Sequence, residues 1–510
     1  MKLAQALRTL VLAAGTLVVF SNSISVYTQV PGNDRILAKF EKDVEAGKLA
    51  QSEKPLLDYA LAHPNDAKAL ELMGRLRLKQ GRIDEALALY RRALALDPQF
   101  VSAKVNYATA LLLIGQSDEA VRLLNGIDPS GIKDLITQLN LAQAHVLAGN
   151  CPQALAVVAA LPAAVVNTDA LPIRATCYVQ LGKTNDLDAL VPLAKKAVTA
   201  SPNAVMRFAG VMIDAGRSRA ALEVLQLISR SMPTNSKALT LQGRAEIMEK
   251  DFAAAQQYLG RAAALEADSP EVAYLQAQLE IEQGNVAAAV PFLKKALQLA
   301  PNSPDILARL ALTAIKANQP RDAVEAAEKL LALKPDDPDG LYLLGAAALQ
   351  SGDLQKAQSN LERYALIRPN DSRGCVALGL TLAAQRDQIE PARQQLRHCL
   401  EIDPANIEAK YQIGLSYKAQ GDTAQAIRFL EQTVTAAPRN APALRDLGTV
   451  YLQAGDEPKA REMLERSAAI DPNDAETHFQ LSRLYNLIGE TGLAKQHLDL
   501  FQKLKNRKGQ

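Results

Sequence analysis

The sequence predicts an all-α protein built from one repeated unit, a pair of antiparallel helices joined by a tight turn. Of the 510 residues, 48% are hydrophobic but only 4% are aromatic, and Trp is missing altogether. Ala and Leu are abundant, and both lose little freedom in a helix. A third observation decides the architecture, because a set of small residues recurs with a nearly constant spacing along most of the chain.

The turn residues set the period of this repeat. Gly81, Gly115 and Gly149 are 34 residues apart, and nearly the same step continues to Gly489. Most members are Gly or Asn, which tolerate the left-handed backbone conformation that ends a helix. The full series is Gly81, Gly115, Gly149, Gly182, Gly216, Lys250, Gly284, Asn318, Gly352, Arg386, Gly421, Gly455 and Gly489.

Three further columns keep the same phase. A small residue precedes each turn by seven positions. Ala follows by five positions in eleven of thirteen repeats and by six at Ala392, after a one-residue insertion, and Leu187 is the exception. Small residues at these places allow two helix axes to approach closely. Pro often follows the turn by about seventeen positions, as at Pro98 and Pro301. Since Pro stops one helix and opens the next, the columns predict hairpin after hairpin.

These columns resemble those of the tetratricopeptide repeat family. The resemblance covers residues 67–506 as thirteen repeats, and residues 34–66 resemble a degenerate capping repeat with Gly47 at its turn. It implies a right-handed superhelical solenoid of antiparallel helix hairpins, in which the first helix of each hairpin lines a concave groove. The C-terminal helix would cap the array. Consensus is weakest around residues 163–204.

The first thirty residues have the layout of a secretory signal. Lys2 and Arg8 precede an eleven-residue apolar run, Leu10 to Phe20, and small Ser residues follow it. A membrane-spanning helix needs about twenty apolar residues, so a cleaved signal peptide is favoured over a retained anchor. We therefore expect export, to the periplasm or to the periplasmic face of the inner membrane.

Charge and motifs argue against several functions. The chain has 57 Lys and Arg against 55 Asp and Glu, whereas a nucleic-acid-binding surface needs a positive excess. Gly182, Lys183 and Thr184 end like a phosphate-binding loop, but the preceding Gly that the motif requires is replaced by Cys177. No local pattern of catalytic residues or of four metal ligands is evident, so we expect no enzyme activity, no cofactor and no metal.

The four Cys residues form two candidate disulfides, Cys151–Cys177 and Cys375–Cys399. The members of each pair are equidistant from a loop or turn between antiparallel helices, and therefore face each other. Export favours a bridge. The alternative is four buried thiols, because packed helix axes lie about 8–10 Å apart while a disulfide requires Cα atoms within about 7 Å.

Positions ten residues before each turn are predicted to face the groove. Aromatic rings recur there in every second repeat of the C-terminal half, and apolar residues lie near the N-terminal end. The rings either form a ladder for an extended peptide or pack against the neighbouring helix. The candidate partner-binding residues are Tyr274, Tyr342, Tyr411, Phe479, Val105, Leu112 and Leu139.

The function predicted from the resemblance and the signal segment is a non-enzymatic protein–protein interaction scaffold of the cell envelope. Its expected partners are envelope or secretion components, in secretion or exopolysaccharide export assembly. The membrane is contacted only through the N-terminal segment if that segment stays uncleaved. Two alternatives stay open: a glycan- or polymer-binding array, and an accessory subunit of an envelope enzyme complex.

Overall fold

The computed structural model of the chain describes residues 32–45, 47–385 and 387–508, which form α-helices joined by short turns, with no β-strand among them. The predicted all-α class with successive helix hairpins is thus confirmed. The predicted signal peptide or anchor at residues 1–30 and the turn residue Arg386 lie outside the described residues.

The chain divides into two compact units, residues 1–283 and 284–510. The boundary falls at Gly284, inside one of the predicted repeats. In the first unit the helices are α1 Gly32–Glu45, α2 Leu49–Ala62, α3 Ala67–Lys79, α4 Ile83–Leu96, α5 Val101–Leu113, α6 Ser117–Asn125, α7 Leu135–Leu147, α8 Cys151–Ala159, α9 Ala163–Val166, α10 Leu171–Gln180, α11 Thr184–Asp188, α12 Val191–Ala197, α13 Pro202–Asp214, α14 Ser218–Ser231, α15 Ser236–Glu249, α16 Phe252–Leu265 and α17 Pro270–Glu282.

The second unit continues the same pattern with helices of nearly equal length. They are α18 Val286–Leu299, α19 Pro304–Lys316, α20 Pro320–Leu333, α21 Pro338–Ser351, α22 Leu354–Ile367, α23 Ser372–Ala383, α24 Ile389–Ile402, α25 Ile407–Gln420, α26 Thr423–Ala436, α27 Ala441–Ala454, α28 Glu457–Ile470, α29 Ala475–Leu487 and α30 Thr491–Lys508. From α19 onward, successive pairs such as α19 and α20 pack as hairpins.

The turn residues adopt the conformation that the sequence series requires. Every described member of the series has a positive φ, and so does Gly47. The non-Gly members follow the rule too, since φ is 63° at Lys250 and 56° at Asn318. A left-handed residue at this place ends the first helix and reverses the chain.

The small-residue columns mark the closest contacts within the hairpins. A Cβ atom added to Gly345 would lie 2.5 Å from Cγ of Leu361, and one added to Gly448 would lie 2.7 Å from Cγ of Leu464. The Ala column on the second helix is equally enclosed, because Ala357 has no exposed surface. A larger side chain at either column would force the two helices apart.

The helices are least regular in the part of the chain where the match to the repeat consensus is weakest. Between residues 163 and 197 the helices shorten, and the second helix of this repeat is split into α11 and α12. Pro192 occupies the first turn of α12, where it opens a new helix more readily than it continues an old one. Leu187 replaces the usual Ala here and is buried.

Replacing Ala357 with Leu should destabilise the second unit by about 1–3 kcal/mol, because the added atoms overpack a closed helix contact. The measurement is the urea midpoint for loss of the helical circular dichroism signal. Gln355→Leu is the matched control, since Gln355 is exposed on the same helix. Equal losses in both variants would contradict the assignment of the buried face.

Candidate partner-binding surface

The apolar residues predicted to face the groove near the N-terminal end are largely covered in the structure. Val105 and Leu139 are only 1% and 4% exposed and belong to the core of the first unit, and the half-buried Leu112 packs against the same core. The physical reason is that the first helices of neighbouring hairpins, here α5 and α7, contact each other. The facing side chains are thereby withdrawn from the surface.

The four predicted rings are all half-buried, and they do not belong to one unit. Tyr274 lies in the first unit, while Tyr342, Tyr411 and Phe479 lie in the second. The ring centroid of Phe479 is 5.2 Å from that of Phe501 on α30. Because all four rings are half-buried, part of each ring stays exposed. The ladder of rings for an extended peptide therefore stays a prediction.

Tyr342 and Tyr411 are held by polar as well as apolar neighbours. The Arg373 guanidinium lies 5.5 Å from the ring centroid of Tyr342, which also packs at 5.6 Å against Tyr364. The Tyr411 hydroxyl donates to a carboxylate oxygen of Asp446 at 2.7 Å. Burial, and then this hydrogen bond, raise the pKa of Tyr411, so the phenol stays neutral and keeps donating.

Asp446 is the centre of a buried polar cluster in the second unit. Besides the Tyr411 hydroxyl, its carboxylate accepts from Lys418 Nζ at 2.6 Å and from Arg445 Nη2 at 3.2 Å. Arg445 also donates to Asp474 at 3.0 Å. Since a buried carboxylate is stable only when it is paired, the cluster ties α25, α27 and the start of α29 together.

Glu71 is a buried carboxyl group in the first unit, and it accepts hydrogen bonds from neutral side chains. Its carboxyl group accepts from Ser102 Oγ at 3.0 Å and from Asn106 Nδ2. Burial, reinforced by nearby Glu41, raises the pKa of Glu71 to about 8. The hydrogen bonds and the charge of Lys68 lower this pKa but have smaller effects than burial, so Glu71 carries a proton near neutral pH.

A second row of side chains lies six residues before each turn, one helical turn after the predicted positions. In four consecutive hairpins this row is apolar, and we call Leu312, Ala346, Leu380 and Leu415 the apolar row. Leu312 is 36% exposed and the other three are half-buried. Their helices α19, α21, α23 and α25 contact one another in succession, so the row is continuous.

The rings and the apolar row share a helix face. Tyr342 precedes Ala346 by four residues, and Tyr411 precedes Leu415 by four, which places each pair side by side on a helix surface. Sequence reasoning missed the row because only positions ten before each turn were compared. The sequence does contain a signal for the row, because the residues six before each turn are mainly polar in the first unit and apolar in the row. Those of the first unit are Arg75, Thr109, Gln143, Thr176, Gly210, Arg244 and Gln278.

Comparison with protein families agrees with the hairpin architecture. Three models of the tetratricopeptide repeat match, one at residues 77–131, 280–331 and 417–484, a second at 43–99, 240–304 and 309–372, and a third at 135–160. Together they cover more than half of the chain. This protein belongs to the tetratricopeptide repeat family. The irregular helices between residues 163 and 197 fall outside all the matched segments.

Solved structures of similar architecture have low identity to this tetratricopeptide repeat chain. The APC/C hetero-tetramer Cut9–Hcn1 is 14% identical, with 92% of this chain and 97% of that chain covered, at a TM-score of 0.40. Pseudomonas aeruginosa pilF is 19% identical, with 41% and 94% covered, at 0.35. A Thermus thermophilus tetratricopeptide repeat protein is 20% identical, with 36% and 98% covered, at 0.32. No curated protein matches the sequence, and no functional property is transferred from these structures.

Tetratricopeptide repeats are typically non-catalytic modules that bind other proteins on surfaces formed by stacked helices. The chain is therefore a protein-interaction scaffold. Among the described residues, no three His, Cys, Asp or Glu side chains are grouped to hold a metal ion. Nor is any helix in this part of the chain long and apolar enough to cross a membrane.

The two candidate Cys pairs differ in the structure. Cys375 and Cys399 form a disulfide between α23 and α24 with a Cα–Cα distance of 5.6 Å. Gly379 lies one turn further along α23 and allows this close approach. The predicted Cys151–Cys177 bridge is absent, and both thiols are free and buried. The Cys151 thiol instead donates to Gln180 Oε1 at 2.9 Å.

Glu71→Gln should remove a pH dependence of stability. The folded chain binds a proton at Glu71 more tightly than the unfolded chain, whose pKa is near 4.5, so the group stabilises the fold at low pH. That contribution is lost as pH rises from about 4.5 towards 8, with a slope of up to about 1.4 kcal/mol per pH unit. Urea midpoints measured between pH 5 and 9, in steps of about one unit, should fall more steeply for the natural chain than for Glu71→Gln.

The control for this experiment is Asp84→Asn, which removes an exposed carboxylate from the neighbouring helix α4. The stability of Asp84→Asn should depend on pH as steeply as that of the natural chain. A natural chain whose slope equals that of Glu71→Gln would refute the protonated state of Glu71.

Proposed function

We propose that this tetratricopeptide repeat protein is a non-enzymatic scaffold of the cell envelope that binds a protein partner along the apolar row. The single observation that carries the proposal is a contrast between the two units at the repeat position of that row. Four successive hairpins of the second unit present Leu or Ala at the place where the first unit presents mainly polar residues. A continuous, partly exposed apolar surface on a soluble array is typical of a protein-binding site.

The chemistry of the surface favours a protein over a glycan. Glycan sites combine exposed rings with hydrogen-bonding groups, because sugars present many hydroxyls. Here Tyr342 and Tyr411 are only partly exposed, and the Tyr411 hydroxyl is already bonded to Asp446. The neighbouring Leu380 and Leu415 offer no hydrogen bonds. Apolar side chains of a partner protein would bury this surface at no polar cost.

Two observations support a location in the envelope. The residues from Lys2 to Phe20 have the charge and apolar pattern of an export signal. The Cys375–Cys399 disulfide fits an oxidising compartment, since such bonds are rare in the cytosol. Within the envelope we propose secretion or exopolysaccharide export assembly as the setting, with envelope components as partners.

Charge introduced into the apolar row should weaken partner binding. Leu312→Glu and Ala346→Glu place a carboxylate at partly exposed positions, where a bound partner would have to desolvate it. The partner is captured from envelope fractions with the natural chain and identified by mass spectrometry. Each variant should then bind the purified partner about tenfold to a hundredfold more weakly, as for an interface hot spot.

The matched controls are Gln143→Glu and Gln278→Glu, which make the same change at the same repeat position in the first unit. Both should bind the partner with unchanged affinity, and all four variants should keep the helical circular dichroism signal. Equal weakening by the control variants, or full binding by Leu312→Glu, would place the partner site elsewhere.

Export is tested separately from binding. Residues 1–35 fused to a reporter that is active only outside the cytoplasm should yield activity, because the apolar run would direct translocation. The same fusion with Leu10→Arg and Val18→Arg should be silent. The mass of the mature chain then distinguishes a cleaved signal from a retained anchor, and an inactive natural fusion would contradict the envelope location.

A further inference from the structure

Two His side chains meet between the two helices of the last hairpin, α29 and α30. His478 on α29 and His497 on α30 stack with a centroid distance of 5.2 Å and an interplanar angle of 23°. Their Nδ1 atoms are 2.9 Å apart. His478 is buried and His497 is half-buried. Two ring nitrogens at this distance require one donor and one acceptor.

The hydrogen bond of the second ring nitrogen of His478 determines which nitrogens of the pair carry a hydrogen. Nε2 of His478 lies 2.9 Å from the carbonyl oxygen of Pro472. A carbonyl only accepts, so Nε2 carries a hydrogen, and the neutral ring has a bare Nδ1. His497 therefore donates its Nδ1 hydrogen to His478. The pair can hold one extra proton at Nε2 of His497, but a second one would point two N–H groups at each other.

The acidic groups near the two His rings are already paired, so they stabilise additional positive charge on the rings only weakly. Tyr485 of α29 stacks on His497 at 5.4 Å, and its hydroxyl donates to Glu465 of α28 at 2.7 Å. Glu465 also accepts from Arg461, which in turn pairs with Glu490 before α30. The Glu465 carboxylate is thus already shared by two donors.

Other charged groups near His478 are also occupied. Asp474, at the start of α29, accepts from Thr477 and from Arg445. Burial and the neighbouring His478 lower the pKa of His497, and the smaller attraction to Glu465 does not reverse the shift. The folded arrangement therefore resists full protonation of the pair.

We propose that His478 and His497 form a proton-sensitive latch that holds α30 on α29 at neutral pH and releases it when both rings are charged. Release has a defined structural consequence. Phe501 of α30 lies against Phe479, and Ala494 of α30 is buried in the core that includes Leu484 of α29. Opening the latch would uncover Phe479 and the apolar face of α29. The latch does not depend on the proposed function.

The direction of the pH effect follows from linkage. His497 has a lower pKa in the docked helix than its ordinary value of 6.5, which it regains when α30 detaches. The detached state therefore binds more protons. Docking is at full strength above pH 6.5 and weakens as pH falls through the lowered value. Each unit of lowering corresponds to a tenfold change in the docking equilibrium.

Hydrogen exchange of the full chain tests the latch. Amide exchange is measured by mass spectrometry at about pH 7.5 and 5.5, values on either side of the ordinary His pKa, and corrected for the chemical exchange rate. The opening constant of α30 should rise in acid, by up to about tenfold at one pH unit below the ordinary His pKa, while that of α20 stays constant. His497→Asn keeps a donor near the Nδ1 position but cannot become charged, so its acid response should vanish.

The matched control is His398→Asn, because His398 is exposed on α24 and pairs only with Glu401. This variant should respond to acid like the natural chain. An acid response that persists in His497→Asn, or that is missing from the natural chain, would overturn the latch.

A second measurement covers the case in which His497→Asn loosens α30 at every pH. The chain has only five His residues, so their ring resonances can be followed by NMR in the natural protein. The latch predicts that the ring of His497 titrates below the ordinary His pKa, because burial and the neighbouring His478 disfavour its charged form. Titration of the His497 ring at the ordinary His pKa would refute the proposal.

Discussion

Close contact between the two helices of a hairpin is the constraint on which the rest of the structure depends. Leu361 fills the space that a side chain at Gly345 would need, and Ala357 is fully enclosed on the opposite helix. The contact requires a sharp reversal, which the left-handed turn residues provide. It also brings Cys375 and Cys399 near enough to form a disulfide, although most packed helices are too far apart for one.

Stacking of the hairpins then decides which side chains remain available to a partner. First helices of neighbouring hairpins contact each other, so residues such as Val105 and Leu139 are covered. Polar groups caught in this layer must find partners within it. Asp446 does so with Lys418 and Arg445, whereas Glu71 accepts hydrogen bonds from Ser102 and Asn106 and keeps a proton. Positions one helical turn after these covered residues, six before each turn residue, stay partly exposed in the hairpins that form the apolar row.

The binding surface and the C-terminal latch are related through the second unit. The apolar row spans hairpins from α19 to α26, and Phe479 lies further along on α29 beneath Phe501. A pH change that frees α30 would thus alter the apolar surface at this end of the unit without touching the row itself. Because each repeat contacts mainly its neighbours, such a change can stay local.

The sequence by itself determined the helix hairpins, their period and the positions of the turns. Gly81, Lys250 and Asn318 all adopt the conformation that their place in the series demands, because helix termination depends on local backbone chemistry. The division at Gly284, the free thiol of Cys151 and the pairing of His478 with His497 were decided by tertiary structure. So was the burial of Val105, since exposure depends on how closely the next hairpin stacks, and no residue spacing along one chain segment records that distance.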